Sequence, residues 1–250
     1  DLIQNELDEV LTKIDDPRRT VINNSVVDHD DEDLIQQEDM VVTVSHRGYI
    51  KRVALSDYRA QRRGGKGRTG MKTRDEDFVS RLFVANTHTP ILFFTSTGMV
   101  YQLKCYKLPI ASPQGLGKAM INLLPIAPEE TIQTVMPMPS EKDSWNDLQI
   151  LFATKNGNVR RNQLNDFVNI RQNGKIAMKL HNDDELVSVQ PCNTTDNFFL
   201  ATRLGKAIRC DINNVRIFVG RDSSGVRGIK LKPSDYVVSM SIVNQDVRQY

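Results

Sequence analysis

Four segments of this 250-residue chain repeat one pattern, and that repetition narrows the possible folds more than any other feature. They are VVTVSHRGYIKR from Val41, ILFFTSTGMVYQLK from Ile91, ILFATKNGNVRR from Ile150 and FFLATRLGKAIR from Phe198. Each reads as an apolar strand, a tight turn ending in glycine, and a second strand carrying basic residues. The turn glycines Gly48, Gly98, Gly157 and Gly205 lie 50, 59 and 48 residues apart. A glycine-containing loop follows each hairpin: RRGGKG, SPQGLGK, RQNGK and DSSGVRG. Each loop leads to a further strand, such as Ile176 to Leu180 or Val226 to Leu231. An acidic residue then introduces one more apolar strand: Phe78 to Val84, Thr131 to Met136, Leu186 to Val189 and Tyr236 to Val243.

A unit of about 50 residues with four strands buries its faces only by stacking on its neighbours. Residues 40–250 are therefore expected to form an all-β, propeller-like array of four-stranded blades. A solenoid of independent blades is the structural alternative. The chain stops at Tyr250 just after the first strand of a fifth unit and opens on Asp1, which reads as a chain cut short. Helical spacing is confined to the N-terminal stretch, where Ile3, Leu7, Val10 and Ile14 are four, three and four apart. Asp16-Pro17 ends that pattern, because a residue before proline is steered out of the helical region. Residues 28–39, DHDDEDLIQQED, are acidic and turn-rich. Residues 1–39 are accordingly read as the end of a helix plus an acidic linker.

The charge is divided between these parts. Residues 1–40 hold 3 basic and 13 acidic side chains, and residues 41–250 hold 30 basic and 18 acidic ones. An acidic tether on a basic body results, and a body that basic prefers polyanions. Nothing spans a membrane as a helix, since no run of about 18 apolar residues occurs. Cys105, Cys192 and Cys210 are scattered without a C-x-x-C pair, which argues for a reducing compartment and against a disulfide frame or zinc site. His29, His46, His88 and His181 are equally isolated.

Basic residues recur at matching places in the units. Lys51-Arg52, Lys104, Arg160-Arg161 and Arg209 lie a few residues past the turn glycines. Lys66, Lys118, Lys175 and Arg227 fall in or just after the following loops, with Arg171 close by. Units related by rotation would align these positions into a positive belt, which scattered solvated charge would not. Such a belt contacts phosphates and reads no sequence, because no recognition helix reaches a major groove. Aromatic platforms for single strands are lacking at loop positions, so duplex DNA is the expected partner.

The densest basic loop is Gln61, Arg62, Arg63, Gly64, Gly65, Lys66 and Gly67, followed by Arg68, Lys72 and Arg74. Glycine lets the backbone lie close to another surface, and arginine offers a planar fork that fits phosphate oxygens. Gly65, Gly67 and Gly70 also match G-x-G-x-x-G, but no apolar strand precedes them and no helical stripe follows, so the dinucleotide reading is rejected. No Lys-Ser or Lys-Thr follows the last glycine, which rejects a P-loop as well.

The run QRRGGKG, preceded by YIKRVALSDYRA and followed by EDFVSRLFVANTHTPILFF, resembles the C-terminal domain of the bacterial DNA gyrase A subunit. The heptapeptide looks like that family's GyrA box, and the likeness covers essentially the whole chain. The resemblance implies a β-pinwheel whose blades exchange strands, with duplex DNA wrapped around its basic edge in a positive superhelical sense. That wrapping would serve ATP-driven strand passage, which introduces negative supercoils. The likeness implies a bacterial, cytoplasmic type IIA topoisomerase as the parent enzyme. Its partners there would be the N-terminal breakage-reunion domain and the gyrase B subunit, in an A2B2 assembly. ATP and Mg2+ would act elsewhere in that enzyme, with no cofactor in this fragment. The related A-type subunit of topoisomerase IV has a degenerate box, so the intact Gln61–Gly67 run favours gyrase.

No paired carboxylates, Ser-His-Asp set or Cys-His set occurs at credible spacing. Tyr49, Tyr58, Tyr101, Tyr106, Tyr236 and Tyr250 read as packing residues, and this stretch is expected to bind rather than catalyse. A propeller that scaffolds protein partners is the other class of reading, and it predicts salt-tolerant binding. Residues 28–39 could also compete with DNA for the basic edge.

Overall fold

The structure, a computed structural model, describes residues 2–13, 34–58, 77–139, 141–181, 183–220 and 223–244. The chain divides into two units, residues 1–34 and 35–250. The first contains α1 (Leu2–Lys13), on which no residue is buried. In the second, the first two hairpins and their partners are β1 (Asp39–Ser45), β2 (Tyr49–Ala54), β3 (Val79–Asn86), β4 (Pro90–Thr95), β5 (Met99–Lys104), β6 (Lys118–Ala119) and β7 (Ile132–Pro137). The remainder are β8 (Gln149–Thr154), β9 (Asn158–Gln163), β10 (Lys175–Ile176), β11 (Leu186–Cys192), β12 (Asn197–Thr202), β13 (Ala207–Asp211), β14 (Val226–Arg227) and β15 (Val237–Val243).

The repeated residues build one turn four times. Each turn glycine has φ near +80°, in the left-handed region that glycine enters without steric cost. Its N–H donates to the carbonyl three residues back: Gly48 to Ser45, Gly98 to Thr95, Gly157 to Thr154 and Gly205 to Thr202. The hydroxyls of Ser45, Thr95, Thr154 and Thr202 accept from the N–H that follows each glycine. The acidic residue before each last strand completes the turn. Asp77, Asp184 and Asp235 accept from the tip N–H groups of Arg47, Asn156 and Leu204 at 2.9–3.0 Å. Glu130 does the same work through the hydroxyls of Thr95 and Thr97.

Burial works to raise the pKa of Asp77, but the N–H groups of Arg47 and Phe78, the Ser45 hydroxyl and the Arg47 charge hold it below the usual carboxylate range. Asp235 is lowered in the same way against its own burial, by Leu204, Thr202, Tyr236 and Lys206. Their contribution to stability is present above the ordinary carboxylate pKa and is lost as pH falls through the depressed values.

The strands form four antiparallel sheets ordered β3-β1-β2-β6, β10-β5-β4-β7, β11-β8-β9-β14 and β13-β12-β15. The third strand expected in the second, third and fourth units therefore joins the preceding sheet. Lys118 pairs with Ile50, Lys175 with Val100 and Val226 with Val159, so each of the first three sheets receives its edge from the next repeat. These exchanged strands are two residues long, shorter than the stretches Ile176 to Leu180 and Val226 to Leu231 suggested. The strand Val237–Val243 pairs with β12 and belongs to the fourth sheet, and residues 245–250 lie outside those described.

The central strands read as unbroken apolar runs because both of their faces are covered. On β8, Ile150 and Phe152 join a core with Leu92, Phe94 and Val100 of the second sheet. Leu151 and Ala153 on its other face join Phe198, Leu200 and Met240 of the fourth. Phe94 meets Phe152 edge-to-face with centroids 5.7 Å apart. Each such buried aromatic contributes about 1.5–3 kcal/mol, which makes the stacking of sheets the main source of stability.

Candidate nucleic-acid interface

The edge that each sheet receives from the next repeat carries three of the expected cations. Lys118 opens β6 and Lys175 opens β10, and both occupy the same register against the preceding sheet. Val226 takes that register on β14, which leaves Arg227 one position further on and on the opposite face. Lys118 and Arg227 are exposed, while Lys175 is half-buried with Nζ donating to the Asn169 carbonyl at 3.3 Å. Arg171 is exposed in the loop before β10, where Gln102, Asn169, Arg171 and Lys175 line a cleft of about 640 Å³. Arg209 is exposed on β13, paired across the sheet with Phe199. Lys104, at the end of β5, is half-buried and donates to the His88 carbonyl at 3.2 Å. Residues Gln61 to Gly67, with Arg68, Lys72 and Arg74, lie outside the described residues.

Two expected rim cations require correction. Arg160 is 0% exposed and Arg161 6% exposed, covered by the loop that the fourth repeat lays across β9. The Arg160 guanidinium donates to the carbonyls of Ser223, at 2.8 Å, and Gly220. Arg161 donates to Asn213 Oδ1 at 3.2 Å and forms a parallel bridge with Ile217. The first sheet repeats the device. Lys51, also 0% exposed, donates from Nζ to the carbonyls of Ser112 and Pro113. Arg52 donates to Leu108 and Tyr106 and bridges Ile110.

The basic pairs read from the sequence as a belt are thus clamps in the first and third sheets. They hold the incoming loops that lead to Lys118 and Arg227. Burial lowers the pKa of Lys51, and it lowers that of Arg161 against the pull of Cys192 and Asp211. In the second sheet Tyr101 stands at the Lys51 position, and its ring packs against Gly174 of the incoming loop.

Glycine is required where those loops touch down. At Gly225 (φ +84°) an added Cβ would lie 2.3 Å from the Val159 carbonyl oxygen, and at Gly117 (φ +84°) 2.5 Å from that of Ile50. The recurring loop glycines hint at this contact in the sequence. Nothing in the sequence distinguishes a buried Arg160 from an exposed one, since charged side chains are ordinarily exposed.

Sequence register also overlooked Arg216, Lys206, Lys230 and Lys232, all exposed. Arg216 is held over the Phe218 ring at 4.5 Å. Burial pushes the thiols of Cys105 and Cys192 up to about 11 and about 12, so both stay protonated near neutral pH. Among the described residues no group of three or more His, Cys, Asp or Glu could hold a metal ion. What the arrangement offers is a set of separated cations on exchanged edges, suited to phosphate oxygens.

The four sheets coincide with four matches to a family model described as the DNA gyrase C-terminal domain, a β-propeller, at residues 39–86, 89–137, 149–193 and 196–244. The DNA gyrase A subunit of Rickettsia bellii is 49% identical over 243 residues, covering 97% of this chain and 27% of that protein. This chain thus spans about a quarter of the length of the curated relatives it matches. Among solved structures, a C-terminal domain of DNA topoisomerase IV superposes with a TM-score of 0.72 at 30% identity, covering 84% of this chain and 63% of that one. A DNA gyrase A C-terminal domain superposes with a TM-score of 0.58 at 26% identity, covering 81% and 64%.

Proposed function

The chain belongs to the DNA gyrase C-terminal β-propeller family, and on that premise we propose that it binds duplex DNA without reading sequence and wraps it chirally. The observation that carries the reading is the match of all four sheets to the family, together with Lys118, Lys175 and Arg227 on their exchanged edges. Phosphate contacts from separated loops position a duplex but carry no sequence information. No α-helix occurs among the described residues of the second unit to enter a major groove. Bending about 20–30 base pairs by 40–90° costs on the order of 1–6 kcal/mol, which distributed phosphate contacts must offset.

In this reading Gln61 to Gly67, with Arg68, Lys72 and Arg74, is the principal grip, and Arg171, Lys175, Lys118, Arg209 and Arg227 extend it. The parent would be a bacterial, cytoplasmic DNA gyrase in which ATP and Mg2+ act outside this stretch. The breakage-reunion domain and the gyrase B subunit would be its partners in an A2B2 assembly. A topoisomerase IV A-type subunit is the second reading, favoured by the 0.72 TM-score of that domain. The intact QRRGGKG run and the 49% identity to a gyrase A subunit weigh against it.

The test is the salt dependence of duplex binding by the chain and by its Arg62→Ala/Arg63→Ala/Lys66→Ala variant. Removing three phosphate contacts should flatten the slope of log K against log salt by about 3. An unchanged slope, with salt-tolerant binding, would sink the reading in favour of a protein scaffold.

A further inference from the structure

At every hairpin tip, the first tip residue meets the residue that follows the turn-capping acid. His46 stacks on Phe78 with centroids 4.8 Å apart, and the Thr131 N–H donates to Ser96 Oγ at 3.2 Å. Lys155 pairs with Glu185 at 3.1 Å, and the Arg203 guanidinium sits 5.6 Å from the Tyr236 centroid. Lys155 Nζ lies 5.6 Å from the same Tyr236 centroid, so one ring orients two cations from neighbouring sheets. Lys206, just past the fourth tip, donates from Nζ to the Lys230 carbonyl. The Gly228 and Ile229 N–H groups donate to Gly157, which ties that segment to the third tip.

Among the described residues the first and second sheets lack this concentration, since their tips carry His46-Arg47 and Ser96-Thr97. On the third and fourth, Arg227 on the exchanged strand is followed by Lys230 and Lys232, and both lysines are exposed. The cations therefore continue from the exchanged edge to the hairpin ends. Of the nearby carboxylates, Asp184 and Asp235 are buried in the turns, with the Asp235 carboxylate facing the Lys206 charge, while Glu185 is exposed and paired with Lys155 and Asp183 is exposed. Among the described residues no ion pair includes Arg203, Lys206, Lys230 or Lys232.

We propose that the hairpin ends of the third and fourth sheets form a second phosphate-binding surface, which takes the backbone of duplex DNA where it leaves the exchanged edge at Arg227. The inference rests on the reading of the chain as a duplex-binding domain. Duplex suits the surface because its charge is dense and continuous, whereas the one aromatic ring here is engaged by cations rather than open for a base to stack.

The test uses the full chain and a Lys206→Ala/Lys230→Ala/Lys232→Ala variant, beside a Lys118→Ala/Lys175→Ala/Arg227→Ala edge variant. Urea midpoints confirm that both remain folded. Duplex binding across a salt series should show the slope flattened by about 2–3 in the hairpin-end variant, since each phosphate contact contributes about 0.9. Lysine-to-arginine replacements at the same three positions should restore it. A flattened slope in the edge variant alone overturns this proposal and leaves the duplex reading standing. Unchanged slopes in both variants overturn this proposal and the edge contacts, while the duplex reading itself falls only if the chain's binding shows no salt dependence.

Discussion

Arg160→Ala is expected to destabilise the four-sheet unit by about 3–5 kcal/mol, the range for emptying a large buried site and stranding its hydrogen-bond partners. Arg160 is 0% exposed, and its guanidinium donates to the carbonyls of Ser223 and Gly220. It also lies 5.6 Å from the Phe218 ring, in a loop supplied by the next repeat. Removing it leaves acceptors on that loop without donors and opens space between two repeats. The melting temperature should fall by about 10 °C for a domain of this size. Arg209→Ala is the comparison, because Arg209 is one of the exposed cations, where a change stays within about 0.5 kcal/mol. Thermal and urea unfolding of the two variants measure the difference. Equal, small effects would show that the buried guanidinium does not clamp the exchanged loop.

Gly225→Ala is expected to cost about 3–4 kcal/mol, combining a left-handed backbone with an enforced overlap. At φ +84° the new methyl would sit 2.3 Å from the Val159 carbonyl oxygen and 3.0 Å from Arg160 Cβ. Both obstacles belong to the strand that β14 must pair with, so relief means lifting the exchanged strand away. Gly205→Ala separates the two causes, since Gly205 has φ +79° and nothing within 4 Å of the added carbon. That variant should lose only about 1 kcal/mol, the backbone penalty alone. Hydrogen exchange supplies the local readout. The Gly228 and Ile229 amides, which donate to Gly157, should lose protection in Gly225→Ala and keep it in Gly205→Ala. Matching losses in both would mean that the close approach carries no cost of its own.

The hairpins were legible because their chemistry is local. A Ser or Thr, two tip residues and a glycine specify the turn within five positions, and the acids at Asp77, Glu130, Asp184 and Asp235 recur beside it. Strand exchange was not legible from the repeat itself, because pairing Lys118 with Ile50 or Val226 with Val159 is a choice between sheets. Only the family resemblance supplied it. The belt was read in part. Lys118, Arg171, Arg209 and Arg227 are exposed, but the Arg160-Arg161 pair turned inward. Composition cannot separate these cases, since what covers Arg160 is a loop about 60 residues later in the chain.

Arg227 shows a subtler limit. It lies one residue out of step with Lys118 and Lys175, and in a strand one residue is the difference between faces. Ile3, Leu7 and Val10 align on α1 as their spacing suggests, yet all three are exposed within their own unit.

Chiral wrapping is the central claim, and DNA topology tests it more directly than affinity. The chain is incubated with relaxed closed-circular DNA and a nicking-closing enzyme, and the change in linking number is read beside that of the Arg62→Ala/Arg63→Ala/Lys66→Ala variant. The account predicts a shift toward positive writhe that disappears in the variant. Binding with no change in linking number, or a shift that survives loss of the three cations, would contradict it.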